Sequence, residues 1–222
     1  MRTLKALLCL SALAGGLATS VAQNVYSLNI VGYVNVPVAG NNALSLISNP
    51  LKPSNGNYNI TNTIALPDTA EGASIFKWAG TGWDGDVPTF YSGGVGWFPD
   101  KVMNLGEAFF IQSPIATQIT FVGEVSTGTN TTTVPTGFSV IASKVPIAEP
   151  FPGNVGNEGD SIFTWTGTAW DNTVWTYYGS SIGWFGAGNP GESTNGPALP
   201  VGGGVFYQNT GNPVTITRIL NP

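Results

Sequence analysis

The chain has 222 residues, of which 9% are charged, 42% hydrophobic and 11% aromatic. A chain this rich in apolar and aromatic residues and this poor in charge collapses into a packed core, which excludes intrinsic disorder. Its net charge of -5 makes nucleic acid a poor partner, because phosphate binding needs clustered Lys and Arg, and its lack of histidine excludes catalysis by an imidazole.

The first element in chain order is a predicted secretory signal peptide at residues 1–22. Arg2 and Lys5 precede an apolar stretch at residues 6–18, and a short segment of small residues ends at Ala22. A basic start, an apolar centre and small residues at the end are the three parts of such a signal. We therefore expect export of the chain, with cleavage after Ala22.

The only cysteine, Cys9, lies inside this apolar stretch. After cleavage the chain would contain neither Cys nor His, so the sequence predicts no zinc site, no Ser-His-Asp triad and no Cys-His pair. No later apolar run is long enough for a membrane-spanning helix. We predict no cofactor, no metal and no enzyme activity.

A duplicated pattern dominates the rest of the chain. Residues 74–84 read SIFKWAGTGWD, and residues 161–171 read SIFTWTGTAWD. Other matched segments are 44–48 with 138–142, 90–98 with 177–185, and 105–112 with 201–208. The spacing between matches changes along the chain, which places insertions and deletions in loops between fixed strands. We therefore divide the chain into repeat 1 at residues 23–125 and repeat 2 at residues 126–222.

Each repeat is flanked by a similar apolar strand pattern. The flanking patterns are at residues 30–34, 121–125 and 216–219. Short runs of aromatic and β-branched residues, bounded by Gly, Pro, Asn and Asp, predict strands throughout, with at most one helical turn at residues 68–73. The predicted fold is all-β: two tandem homologous antiparallel units, sandwich-like or barrel-like, closely packed with pseudo-twofold symmetry, or joined in one continuous sheet.

The best-matched segments predict two tight hairpins. Gly80 and Gly167 each begin a two-residue turn, and glycine at this position is typical of a type II′ hairpin. The paired tryptophans are then Trp78 with Trp83 and Trp165 with Trp170. Period-two alternation places them on an aromatic strand face, which favours a structural clasp over the alternative of a sugar-stacking platform.

Four other aromatic residues are the candidate ligand-binding residues. Trp97 and Trp184 each follow a glycine in a loop-like stretch, where no alternation indicates the direction of the ring. Tyr91 and Tyr178 lie close to them in sequence. The alternative for the two tryptophans is that they anchor loops in the core.

Asp84 and Asp171 are the only acidic residues preserved between the repeats. A hydrolase would pair one of them with Glu107 or Asp100. Both positions are also typical of turns, in which a short polar side chain accepts a hydrogen bond from its own backbone. We favour the turn interpretation and predict no catalytic residues.

Four segments carry a resemblance to known proteins: LSLISNPL at 44–51, IFKW at 75–78, LGEAFFIQ at 105–112 and ITFVGEV at 119–125. Through them the chain resembles a group of uncharacterised secreted β-repeat proteins of Gram-negative bacteria. It is also distantly similar to modules of bacterial surface proteins that open with an LISxP strand. The resemblance implies export and a β module, and it brings no activity and no site residues.

These observations predict a secreted or cell-surface protein of a Gram-negative bacterium with a structural or adhesive role. The alternative is an extracellular glycan-binding module that uses exposed aromatic residues, and a carboxylate-dependent hydrolase ranks third. The expected partners are surface polysaccharide or other extracellular proteins, with no nucleic acid and no membrane span. Exposure of the tryptophan rings distinguishes the first two functions, because a ring that binds sugar must reach solvent.

Overall fold

The computed structural model describes residues 30–186 and 195–221, so the predicted signal peptide at residues 1–22 lies outside the described residues. The described part contains five sheets, and every strand pairing within them is antiparallel. The predicted all-β fold is therefore confirmed.

The first half of the described chain, residues 30–125, forms one five-stranded sheet and one two-stranded ribbon. Its strands are β1 (Val31–Val38), β2 (Leu44–Ser48), β3 (Ser74–Phe76), β4 (Thr89–Tyr91), β5 (Gly96–Phe98), β6 (Ala108–Gln112) and β7 (Thr117–Glu124). The sheet has the order β2-β6-β3-β4-β5, and β1 pairs with β7 in the ribbon. The strand that opens this half therefore pairs with the strand that closes it.

The second half, residues 126–221, forms a sheet of order β13-β12-β11-β15-β9 and a ribbon of β8 with β16. Its strands are β8 (Gly128–Val134), β9 (Gly137–Ile141), β10 (Glu149–Pro150), β11 (Ser161–Trp165), β12 (Trp170–Tyr177), β13 (Trp184–Gly186), β14 (Ala198–Leu199), β15 (Val205–Asn209) and β16 (Val214–Leu220). The short strands β10 and β14 form a further pair.

Helical structure is limited to two short turns in the described residues. These are the α-helix α1 (Ile60–Thr63) and a 3-10 turn at Asp68–Ala70, inside the segment predicted to form a single turn. No helix in residues 30–186 and 195–221 is long and apolar enough to cross a membrane.

The central strands β6 and β15 have apolar side chains on both faces because both faces are covered. In β6, Phe109 and Ile111 face a core within the first half, whereas Ala108 and Phe110 face a third core shared by both halves. Strand β15 alternates in the same way, with Tyr207 in the core of the second half and Phe206 in the shared core. Strands covered on both faces are expected to lose the apolar-polar alternation of a surface sheet.

Three hydrophobic cores are present among the described residues. The first-half core lies between the five-stranded sheet and the β1–β7 ribbon, and the second-half core is its counterpart. The shared core contains side chains of both five-stranded sheets, including Leu46 and Phe76 from the first and Val140 and Phe163 from the second. The two sheets thus pack face to face between the two ribbons, and this packing positions the site described next.

Candidate functional site

The two predicted hairpins are present, and their tryptophans pack as expected. The ring centroids are 5.2 Å apart for Trp78 and Trp83 and 5.1 Å apart for Trp165 and Trp170, in both cases edge to face. The backbone N–H of Ala79 donates to the Gly82 carbonyl at 2.8 Å, so the tryptophans lie one step further out at a non-hydrogen-bonded pair. The predicted tryptophan clasp is confirmed in both halves.

Each clasp packs against a phenylalanine of the opposite half. Trp78 contacts Phe206 with a centroid distance of 5.2 Å, and Trp165 contacts Phe110 at 5.1 Å. The indole Nε1–H of Trp78 donates to the Phe138 carbonyl at 2.9 Å. The tryptophans of each hairpin therefore also form part of the interface between the two halves.

The polar contacts across this interface are reciprocal. The Nε1–H of Trp165 donates to the Leu44 carbonyl at 3.0 Å, as Trp78 does to the second half. Backbone bonds repeat the relation: Ala142 N–H donates to Gly106 O at 3.0 Å, and Ser48 N–H donates to Gly202 O at 2.8 Å. Because these groups are paired inside the molecule, they hold the two sheets in one relative orientation.

The outer tryptophan of each clasp reaches solvent. Trp83 is 46% exposed and Trp170 is 41% exposed, whereas Trp78 and Trp165 are only partly exposed. Both outer rings contact Phe206, at 6.1 and 5.3 Å, and both contact Phe110, at 5.7 and 6.0 Å. The two exposed indoles therefore flank one aromatic cluster. We call it the junction cluster: Trp78, Trp83, Phe110, Trp165, Trp170 and Phe206.

The predicted ligand-binding tryptophans lie elsewhere, in the cores. Trp97 is 3% exposed, packs on Phe90 and donates its Nε1–H to the Ile64 carbonyl at 2.9 Å. Trp184 is fully buried, and its Nε1–H donates to the Pro152 carbonyl at 3.0 Å. Both side chains anchor loops to the core, which was the alternative interpretation, and neither ring offers a face to a ligand in this conformation.

The predicted tyrosines do reach solvent. Tyr91 is 44% exposed and Tyr178 is 48% exposed. Tyr91 is the last residue of β4, and Tyr178 packs on Phe185 at 6.2 Å. Tyr91 belongs to the first half and Tyr178 to the second. Ligand binding by Tyr91 and Tyr178 stays a prediction.

Two clefts flank the places where the halves meet. The Trp78 cleft, of about 340 Å³, is lined by Trp78, Asn104 and Glu107 of the first half and by Ser139 and Lys144 of the second. The Trp165 cleft, of about 430 Å³, is lined mainly by apolar groups, which include Val36, Leu46, Trp165, Pro200 and Val201. Sequence reasoning missed both clefts, because each joins residues that are distant in the chain.

Asp84 and Asp171, the matched carboxylates, each accept a hydrogen bond from the backbone two residues further on, and Asp171 lies in β12. Asp84 accepts a hydrogen bond from the N–H of Asp86 at 3.1 Å, and Asp171 accepts one from Thr173 at 2.9 Å. The hydrogen bond from Lys101 is the main cause that holds the pKa of the Asp84 carboxyl below its ordinary range. Within residues 30–186 and 195–221, no cluster of three or more Asp, Glu, His or Cys side chains has the geometry to hold a metal ion.

The third carboxylate considered, Glu107, is also engaged. One oxygen pairs with Lys77 Nζ at 2.9 Å, and the other accepts hydrogen bonds from the backbone and the side chain of Asn104. Asp100 accepts hydrogen bonds from Asn59 and Thr61. The three carboxylates thus have different side-chain partners, because Lys101 pairs with Asp84 and Lys77 pairs with Glu107.

No protein-family model, curated protein or solved structure matches the chain.

Proposed function

We propose that this chain is a secreted or cell-surface protein of a Gram-negative bacterium with a structural or adhesive role and without catalytic activity. It consists of two tandem homologous β units, 23–125 and 126–222, related by pseudo-twofold symmetry. The observation that carries the proposal is the reciprocal interface, in which Trp78 and Trp165 each donate a hydrogen bond to the opposite half. Such an interface makes one rigid body from two repeats, which suits a load-transmitting or surface-displayed element.

The strand orders support the tandem homology. The sequence match pairs each strand of the first five-stranded sheet with one strand of the second: β2 with β9, β6 with β15, β3 with β11, β4 with β12 and β5 with β13. The two sheets have the same strand order under this pairing. The ribbons correspond in the same way, because β1 with β7 matches β8 with β16. Gene duplication accounts for both correspondences, since duplicated sequences retain one topology.

Export is tested by expressing the full chain in a Gram-negative host and separating cytoplasm, periplasm, membrane and medium. We expect the intact chain outside the cytoplasm and shortened by residues 1–22. The matched control is Leu8→Arg, because a charge inside the apolar stretch blocks recognition of the signal. Retention of the parent chain in the cytoplasm, at full length, would overturn the proposed location.

A second candidate function, extracellular glycan binding, is favoured by one observation. Trp83 and Trp170 present partly exposed indoles on the same aromatic cluster. Apolar faces of sugar rings stack on indole, and two neighbouring indoles suit a polymer better than a single sugar.

A polysaccharide panel tests this function. If the protein binds glycan through the junction cluster, the double variant Trp83→Ala/Trp170→Ala loses binding. Tyr33→Ala, which removes an exposed aromatic ring on the β1–β7 ribbon, retains it. Absence of binding to every polysaccharide would leave the structural role as the better account.

A further inference from the structure

The Trp78 cleft combines an aromatic ring, neutral hydrogen-bonding groups and a lysine side chain at the boundary of the two halves. We propose that it binds a saccharide unit that carries a carboxylate, such as a uronic acid within a polysaccharide. This inference rests on the glycan-binding function proposed above and names its ligand class.

The charge balance of the cleft favours an anion. Glu107 is paired with Lys77 at 2.9 Å, so its charge is compensated locally. Lys144 donates from Nζ to the Thr131 carbonyl at 2.5 Å, and within the described residues it forms no ion pair with a carboxylate. Lys144, which lines the cleft, therefore carries a positive charge without a carboxylate partner in a protein of net charge -5. An ammonium group without a carboxylate partner attracts a carboxylate ligand electrostatically, and added salt weakens this attraction.

The remaining lining suits a sugar ring rather than a small inorganic anion. The Nε1–H of Trp78 is used by the Phe138 carbonyl, so the ring offers an apolar surface to the cleft. Ser139 and Asn104 also line the cleft. The side-chain amide of Asn104 donates a hydrogen bond from its nitrogen to Glu107. Its oxygen and the Ser139 hydroxyl can therefore bond sugar hydroxyls.

The position of Lys144 depends on a glycine of the opposite half. A Cβ atom at Gly106 would lie 2.5 Å from Cγ of Lys144, and the backbone there has φ of +78°. The absence of a side chain lets the apolar stem of Lys144 lie against the first-half backbone. The ammonium group at the end of this stem donates to the Thr131 carbonyl, whose chain neighbour Thr132 lines the cleft.

The Trp165 cleft provides an internal contrast. It stands at the equivalent place in the other half, with Gly203 at the position of Glu107, and no charged residue lines it. Its apolar lining has no group that attracts a carboxylate. The anion preference therefore belongs to one of the two clefts, and a single substitution should remove it.

The experiment measures binding of the purified protein to polygalacturonate and alginate, with methyl-esterified polygalacturonate as the matched neutral polymer. The test variant is Lys144→Gln, and the control is Lys52→Gln, which removes the same charge from an exposed lysine. We expect the parent to bind at least one uronate polymer at least tenfold more tightly than the ester. Lys144→Gln should lose that preference, while Lys52→Gln stays within twofold of the parent.

Three results would overturn the inference: equal binding of acid and ester, equal effects of the two lysine variants, or no binding of either uronate polymer. Near-ultraviolet circular dichroism checks that Lys144→Gln retains the parent fold. If neutral polysaccharides still bind and depend on Trp83 and Trp170, glycan binding survives and only the ligand class is wrong. If no polysaccharide binds, both are wrong.

Discussion

At the residue scale, the second half contains a buried polar network around Asp160. This side chain is fully buried and accepts hydrogen bonds from the Tyr207 hydroxyl at 2.6 Å, the Thr210 N–H at 2.7 Å and the Asn157 N–H at 2.7 Å. At the corresponding positions the first half has Ala73 and Ile111. The network is therefore a feature of the second half alone and links β15 to the loop before β11.

Burial, followed by the hydrogen bond to Asp160, raises the pKa of the Tyr207 phenol well above its ordinary range. The unfolded chain loses this proton near pH 10 while the folded chain retains it, so the free energy of unfolding decreases as pH rises above 10. Between pH 10 and 12, this one proton makes the free energy of unfolding of the parent fall by about 1.4 kcal/mol per pH unit. We expect Tyr207→Phe to lack this contribution, so its stability should fall less steeply with pH. Urea unfolding across that pH range measures the difference.

The control for this prediction is Tyr33→Phe, which removes a hydroxyl from an exposed ring. It should keep the alkaline slope of the parent. Tyr207→Phe should also lower stability at pH 7 by about 1 to 3 kcal/mol, because it removes a donor from a buried carboxyl group. A Tyr207→Phe variant with the parent slope would show that Tyr207 does not control the alkaline transition.

The candidate ligand residues show where residue-scale prediction stops. Trp97 and Trp184 lie in β5 and β13, which are strands of only three residues. Each tryptophan directly follows a glycine with positive φ. A strand this short has too few alternating positions to indicate which way its ring points. The sequence therefore left burial and exposure as alternatives, and packing against the loops at Ile64 and Pro152 decided for burial.

At the element scale, the hairpin at Gly80 depends on a backbone conformation that favours glycine. Gly80 has φ of +95°, and a Cβ atom built there meets open space, so any cost of substitution comes from the backbone alone. We expect Gly80→Ala to lower the free energy of unfolding by about 1 to 2 kcal/mol. Chemical denaturation measures this change.

The same turn provides the matched control. Gly82 lies outside the positive-φ region, and a Cβ atom built there would also meet open space. The second half already has Ala169 at the matching position. Gly82→Ala should therefore change stability by less than about 0.5 kcal/mol. Equal losses for the two variants would contradict the assignment of strain to Gly80.

The hairpins were predictable because their determinants are local. A glycine, its turn partner and two tryptophans lie within six residues, and the non-hydrogen-bonded pairing follows from the turn length. Sequence order could not show that Trp83 and Trp170 share contacts with Phe110 and Phe206. That proximity requires two sheets to meet face to face, and no local pattern encodes it.

At the scale of the whole molecule, the shared core makes the two halves depend on each other for stability. Phe206 is buried and contacts rings of Trp78, Trp83 and Trp170. We expect the parent protein to unfold in one calorimetric transition, and Phe206→Ala to lose about 3 to 5 kcal/mol and to separate the halves into two transitions. Differential scanning calorimetry distinguishes the two behaviours.

The control is Ile75→Ala, which opens a cavity inside the first-half core and leaves the shared core intact. This variant should melt at a lower temperature and still in one transition. Two transitions in the parent protein would show that the reciprocal interface is too weak to couple the halves.

The sequence by itself determined the all-β class, the hairpins and the correspondence of segments between the halves. These features depend on turn residues and on the period-two pattern of side chains, which act over a few residues. The sequence also restricted the chemistry of the chain, because residue types that are absent cannot contribute.

Only the tertiary structure decided which apolar faces are covered by the other half and which rings reach solvent. Strands β6 and β15 are apolar on both faces, so their sequences permit several packing partners, and the reciprocal contacts of Trp78 and Trp165 select one. The Trp78 cleft exists for the same reason: Lys144 and Glu107, 37 positions apart in the chain, line it together because two sheets meet there. Burial is a property of surfaces in contact, and those contacts join residues that are distant in sequence.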